Sequence, residues 1–199
     1  MTRSFALTYD YRCPYARIGH DHVLTGLAAG ADWDVTFLPF SLGQAHVGEG
    51  ETSVWEEPEK DSGIEAMQAS IAVRDNQPEM FRAVHRALFD HRHVDAGNLR
   101  SRDVLTEVLQ RAGADTGAVW DEVDSGRPLA TIEKEHMGHV ASHNVWGVPT
   151  FLVGDRAVFV RLLHTPDGDG ELAIATVERV LEQIDWPILN EFKHTSIPR

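Results

Sequence analysis

The chain has 199 residues, enough for one well-buried core with an elaboration or for two small domains. Its 31 acidic and 18 basic residues give a formal charge of −13, so the surface as a whole repels phosphate backbones and anionic lipid, and no nucleic-acid partner is expected. One cysteine allows no internal disulfide; with no charged-then-apolar leader and no apolar run of membrane-spanning length, the reading is a cytoplasmic protein with no membrane partner.

Residues 4–9 set Phe5, Leu7 and Tyr9 against Ala6 and Thr8, a strand alternation. The stretch Asp10-Tyr11-Arg12-Cys13-Pro14-Tyr15-Ala16 follows and holds the only cysteine. Pro14 reads as the first residue of a helix, where its fixed φ fits and its missing N–H would have no partner anyway. Cys13 is then expected at a strand-to-helix junction, where free N–H groups and the positive end of the helix dipole favour thiolate over thiol. That makes it a candidate nucleophile; the plainer reading is a buried cysteine acting as a small hydrophobe.

The helix carries Ile18, Val23, Leu24, Leu27 and Ala28 towards one side, with Gly26 and Gly30 as places to end it. A second strand is predicted over 33–40, which makes residues 4–40 a minimal parallel β-α-β unit. Residues 41–63 are rich in glycine and acid and lack a periodic apolar face, so they read as a long exposed loop in which Trp55 either contacts substrate or pins the loop down. Four helices follow. Ile64, Met67 and Ile71 mark the first; Pro78 opens the second, with Phe81, Val84, Leu88 and Phe89 on its face; Ser101 caps the third, and Asp115 the fourth.

Leu129, Ile132, His136, Val140 and His143 form the stripe of a further helix, expected to stop at Gly147. The β-rich runs 148–153 and 157–160, joined through Gly154-Asp155-Arg156, must pair as an antiparallel hairpin. A last helix is predicted over 169–184, and the tail from Asn190 has no periodicity. Removing the helical block leaves β-α-β-α-β-β-α, the order of a thioredoxin fold. The predicted architecture is therefore α/β: a thioredoxin-like core of residues 1–45 and 129–199 interrupted by a helical insertion subdomain, 46–128.

Three features carry a family resemblance: Asp10-x-x-Cys13-Pro14-Tyr15 after the first strand, the helical insertion, and Gly147-Val148-Pro149-Thr150-Phe151 before the third strand. On these the chain resembles the DsbA-like branch of thioredoxin-fold proteins, which includes kappa-class glutathione transferases and 2-hydroxychromene-2-carboxylate isomerases. Its tail and layout are also similar to actinobacterial DsbA-family proteins, some of which use mycothiol. The resemblance implies a cis Val148-Pro149 bond beside Cys13. It further implies that Pro14 and Tyr15 wall the site and that the backbone of Val148, shaped by Pro149, holds a thiol or peptide substrate. One departure matters: DsbA-type enzymes carry Cys-Pro-x-Cys, whereas the fourth position here is Ala16, and the isomerase and transferase branch has Ser-Pro-Tyr.

Without a second thiol, nothing inside the chain can release a substrate joined to Cys13. Either an external low-molecular-weight thiol, glutathione or mycothiol, acts as co-substrate of a monothiol oxidoreductase, or Cys13 hydrogen-bonds a bound cofactor thiolate in an isomerase or transferase. A third reading is a non-catalytic thioredoxin-fold binding module. No tightly bound cofactor is expected, and a homodimer is compatible with the sequence. His139 and His143 have the spacing of two metal ligands, but no acidic residue follows His139 as a metalloprotease requires, so no metal is expected. His85, His91 and His93 lie around the end of the Pro78 helix, where cations suit the negative dipole end.

Overall fold

In the computed structural model, which describes residues 2–191, the strands β1 (Arg3–Tyr9), β2 (Trp33–Pro39), β3 (Thr150–Val153) and β4 (Arg156–Phe159) form one sheet in the order β2-β1-β3-β4. β1 and β2 are parallel, with Arg3 opposite Trp33 and Tyr9 opposite Pro39, and β3 runs antiparallel to both β1 and β4. The expected hairpin is present, but its first strand starts at Thr150, not at residue 148. Residues 192–199, most of the tail read above as non-periodic, lie outside the described residues.

The helices are α1 (Pro14–Ala28), α2 (Leu42–Ala45), α3 (Ile64–Asn76), α4 (Pro78–His93), α5 (Arg102–Arg111), α6 (Thr116–Asp124), α7 (Arg127–His143) and α8 (Gly170–Asp185). Local chemistry sets most of their starts: Ser101, Asp115 and Asp169 each accept a backbone N–H of the turn they cap. The stretch 41–63 is more ordered than expected, since it contains α2, capped by Ser41, and a 3-10 turn at Pro58–Lys60. Gly26 does not end α1; it lies inside the helix because a Cβ there would sit 2.4 Å from the Trp33 ring. Gly30, at φ +90°, takes the turn. Likewise α7 ends before Asn144, at φ +55°, and not at Gly147.

α1 packs against α8 and β1, and α4 lies against α1. α7 touches β2, α3 and α6, so it joins the helical segment to the sheet. The end of β1 is covered on both faces: Leu7, Thr8, Tyr9 and Asp10 are all inaccessible to solvent. That places the loop after β1, with its cysteine, over the centre of the molecule.

Candidate active site

The loop from Asp10 to Cys13 is held by a buried carboxylate. Asp10 accepts the backbone N–H of Arg12 at 2.9 Å, the Arg12 guanidinium at 2.6 Å and the N–H of Leu42 at 2.8 Å. Arg12 also pairs with Asp61 at 3.0 Å, and Asp61 accepts the Ser41 hydroxyl at 3.0 Å and the Gly63 N–H at 2.7 Å. Two carboxylates and one guanidinium thus lock the cysteine loop to the 41–63 segment through charge-assisted bonds.

Cys13 is the N-cap of α1: its sulfur accepts the N–H of Ala16 at 3.4 Å, and Pro14 occupies the first helical turn. On its other side the Val148-Pro149 bond is cis, and the Cys13 thiol donates to the Val148 carbonyl at 3.5 Å. Pro149 lies over Gly19 of α1, where a Cβ would meet the proline ring at 3.4 Å. Cys13, Val148 and Pro149 therefore meet at one point; Tyr15 is half-buried beside them, and Pro14 faces solvent.

The ionisation expected of Cys13 is reversed. Only 9% of the residue is exposed, and burial pushes its thiol above the ordinary range, against the N–H groups of Ala16 and Tyr15 and the charge of Arg161, which favour thiolate; Asp10 opposes it. The helix start is present as expected. The sulfur, however, is roofed by a backbone carbonyl 135 residues away, and desolvation outweighs the dipole.

Behind the loop lies a polar chain that sequence reasoning missed. His20 donates from Nε2 to the Thr8 carbonyl at 3.1 Å, because a carbonyl can only accept. Its Nδ1 is then the acceptor for His85 Nε2 at 2.8 Å, which leaves His85 Nδ1 to accept the Tyr11 hydroxyl at 2.7 Å. Each ring has one defined tautomer and all three bonds point one way. Burial pushes the pKa of His20 down to about 3 and that of His85 well below its ordinary value, so both are neutral. Thr8 extends the chain to the proline loop, since its hydroxyl accepts Thr150 N–H at 2.8 Å and faces Gly147 O at 3.4 Å. His20 lies seven residues after Cys13, two turns along α1, which is a usable signal; nothing local marks His85.

Of the other histidines, His85 and His93 depart from expectation, whereas His136 packs as its place on the apolar stripe of α7 suggests. His85 and His93 are not cations at a helix end: burial lowers both, and His93 donates to the Tyr11 carbonyl at 2.9 Å. His136 is packed 4.3 Å from the Phe40 ring and accepts the Ser41 N–H, with its pKa lowered by burial to about 4. His143 is half-buried and bonds Ser142 and Gly154 O. Trp55 stands edge-on to His136 at 5.5 Å and packs on the core, in the manner of a residue that pins its loop.

Two further residues flank the Phe159 ring, beside the proline loop. Arg161, just beyond β4, lies over the Tyr15 ring at 5.0 Å and the Phe159 ring at 5.2 Å. Trp146, 67% exposed, stacks on Phe159 at 4.5 Å. An aromatic residue immediately before Gly147-Val148-Pro149 was a signal for Trp146; Arg161 had none.

The family profile of the DSBA-like thioredoxin domain matches residues 7–164. No curated protein matches the chain at a significant level. Among solved structures it is similar to the cytosolic disulfide reductase DsbM from Pseudomonas aeruginosa, solved with GSH, at 18% identity, covering 90% of this chain and 99% of that one with a TM-score of 0.60. It is also similar to a 2-hydroxychromene-2-carboxylate isomerase, at 12% identity, 94% and 100% coverage and a TM-score of 0.62. The thiol-disulfide exchange protein alpha-DsbA2 from Wolbachia pipientis gives 15% identity, 91% and 81% coverage and a TM-score of 0.62. At these identities the likeness is one of fold: a thioredoxin-like fold with helices between the second and third strands.

Proposed function

The chain belongs to the DSBA-like thioredoxin domain family, and we propose that it is a thiol-disulfide oxidoreductase with a single working cysteine, Cys13, resolved by an external low-molecular-weight thiol. The observation that carries this reading is the sulfur of Cys13 held between the start of α1 and the cis Val148-Pro149 loop, with Ala16 where a resolving thiol would stand.

In the first step the Cys13 thiol gives up its proton, and the thiolate, accepting the Ala16 N–H, attacks one sulfur of a disulfide. The substrate S–S bond breaks, one half leaves as a thiolate that takes up a proton, and the other half stays on Cys13 as a mixed disulfide. In the second step an external thiolate attacks the Cys13 sulfur of that mixed disulfide, so that the second substrate half leaves as a thiolate, takes up a proton, and the external thiol is left on Cys13. A second external thiolate then attacks the sulfur of that bound thiol, Cys13 leaves as thiolate and is reprotonated, and the two electrons come from the two external thiols, which end as their disulfide. A raised thiol pKa favours this direction, because an unstabilised thiolate makes the protein a reductant and not an oxidant. DsbM, of the same fold, is a cytosolic disulfide reductase solved with GSH, and a reducing cytoplasm would supply such a thiol. No described helix is long and apolar enough to cross a membrane.

One observation favours a second reading. The protonated Cys13 thiol already donates a hydrogen bond, to Val148 O, and could donate instead to the thiolate of a bound cofactor, as an isomerase or transferase would require. Cys13→Ser separates the two, since serine keeps the cap and the donor but forms no disulfide. Under the oxidoreductase reading, parent protein incubated with the disulfide of glutathione or of mycothiol gains one thiol's mass on Cys13 as the other half leaves, reversed by excess reductant, and the variant gains none and loses all turnover. A serine variant that turns over at near the parent rate would replace this reading with the second.

A further inference from the structure

Three arginines stand near the sulfur, and two are already neutralised. Arg12 is bound to Asp10 and Asp61, and Arg17 pairs with Asp90 at 3.1 Å. Among the described residues no carboxylate pairs with Arg161, although the chain carries 31 acidic residues against 18 basic ones. What holds Arg161 is the pair of rings beneath it, Tyr15 and Phe159. Both rings are tied to the reacting sulfur. Tyr15 directs its backbone N–H to Cys13, and the residue between Phe159 and Arg161, Val160, donates its N–H to the Pro149 carbonyl at 3.0 Å. A guanidinium covered on its face by rings keeps its N–H edge for a planar anion.

We propose that Arg161 is the anion anchor of this site, so that the thiol reacting at Cys13 is one that carries a carboxylate. The proposal rests on the oxidoreductase reading above and adds its specificity. The charge of Arg161 also favours the Cys13 thiolate, so occupation of the anchor and ionisation of the sulfur compete for the same cation. By this chemistry glutathione, which carries carboxylates, suits the site better than mycothiol, which carries none.

The test uses three thiols of nearly equal size: 3-mercaptopropionate, 2-mercaptoethanol and cysteamine, respectively anionic, neutral and cationic. Cys13 is first converted with dithiodipyridine to its thiopyridyl disulfide. The entering thiolate attacks the Cys13 sulfur, the S–S bond to the pyridine breaks, and thiopyridone leaves and is followed by its absorbance. Each rate is divided by that of the same thiol with free dithiodipyridine, which removes differences in intrinsic nucleophilicity. The parent is expected to favour the anionic over the neutral thiol roughly tenfold, as for a charge-assisted hydrogen bond, and to disfavour the cationic one. About 0.5 M salt should shrink the preference. Arg161→Gln should abolish it, and Arg161→Lys should restore part of it. A parent indifferent to thiol charge, or an Arg161→Gln variant that keeps the preference, overturns the anchor and leaves the oxidoreductase reading standing. If Cys13 accepts neither the thiopyridyl group nor any thiol, the oxidoreductase reading fails and the anchor with it.

Discussion

The two sides of the cysteine loop are built on opposite terms. Behind it, Tyr11, His85, His20 and Thr8 form a fully buried chain in which every hydrogen bond has one donor and one acceptor and no valence is left over. In front of it stand Cys13, Arg161 and Trp146, with an arginine that lies over two rings and, among the described residues, pairs with no carboxylate, and a tryptophan largely in solvent. The rear cluster is saturated, so its interactions serve the fold. The front cluster has capacity that the protein itself does not use, and that is where a ligand can gain free energy. If this division is right, rear substitutions change stability, whereas front ones change chemistry and little else.

Acid should produce the largest effect. Both rear imidazoles are neutral in the folded state with lowered pKa values, so the unfolded chain binds protons more readily than the native one. Stability is then full above about pH 6.5 and falls as the pH drops below it. For His20, with a folded pKa of about 3, going from about pH 7.5 to about pH 4.5 costs on the order of 3 kcal/mol. His85, and His136 at about 4, act in the same direction. Urea unfolding at the two pH values measures the sum. NMR signals of the His20 or His85 imidazole that titrate between pH 7.5 and 5 would show that the rear cluster is not closed.

Next in size is His85→Ala, which strands the Tyr11 hydroxyl and His20 Nδ1 and leaves a cavity. A loss of about 3 kcal/mol or more is expected in a denaturant titration. Tyr11→Phe is milder, because it removes one donor at constant shape and leaves one buried acceptor, His85 Nδ1, unpaired. About 1 to 2 kcal/mol is expected. If Tyr11→Phe costs as much as His85→Ala, the hydroxyl does more than close the chain.

Sequence made the local features legible and the contacts between distant elements, the rear cluster above all, opaque, for physical reasons. The strand alternation at Phe5, Leu7 and Tyr9, the Cys13-Pro14 helix start and the caps at Ser101 and Asp115 are local signals, and each stands in the structure. The cis bond before Pro149 came from family resemblance, since the local residues permit either isomer. α3 showed only Ile64, Met67 and Ile71, yet Ala66, Ala69, Ser70 and Ala72 are buried too, and a helix buried all round has no stripe to read. His20 and His85 are 65 residues apart on different helices, so no spacing rule joins them. The Cys13 ionisation was misread because the helix start was visible in sequence, whereas the desolvating carbonyl of Val148 was not.

The smallest effect is expected at the front, and its smallness is the informative result. Trp146 stacks on Phe159 at 4.5 Å, tilted by 35°, and with 67% exposure it covers little of the core. The backbone it precedes is held independently, by Thr8 against Gly147 O and by Thr150 N–H on the Thr8 hydroxyl. Trp146→Ala should therefore change unfolding free energy by no more than about 0.5 kcal/mol, as for most exposed substitutions. Its effect should fall instead on bulky disulfide substrates, which lose an exposed aromatic surface two residues before Val148, whose carbonyl meets Cys13, and not on small thiols. A stability loss above about 1 kcal/mol would mean that Trp146 pins β4, and the front cluster would then belong to the fold as much as the rear one does.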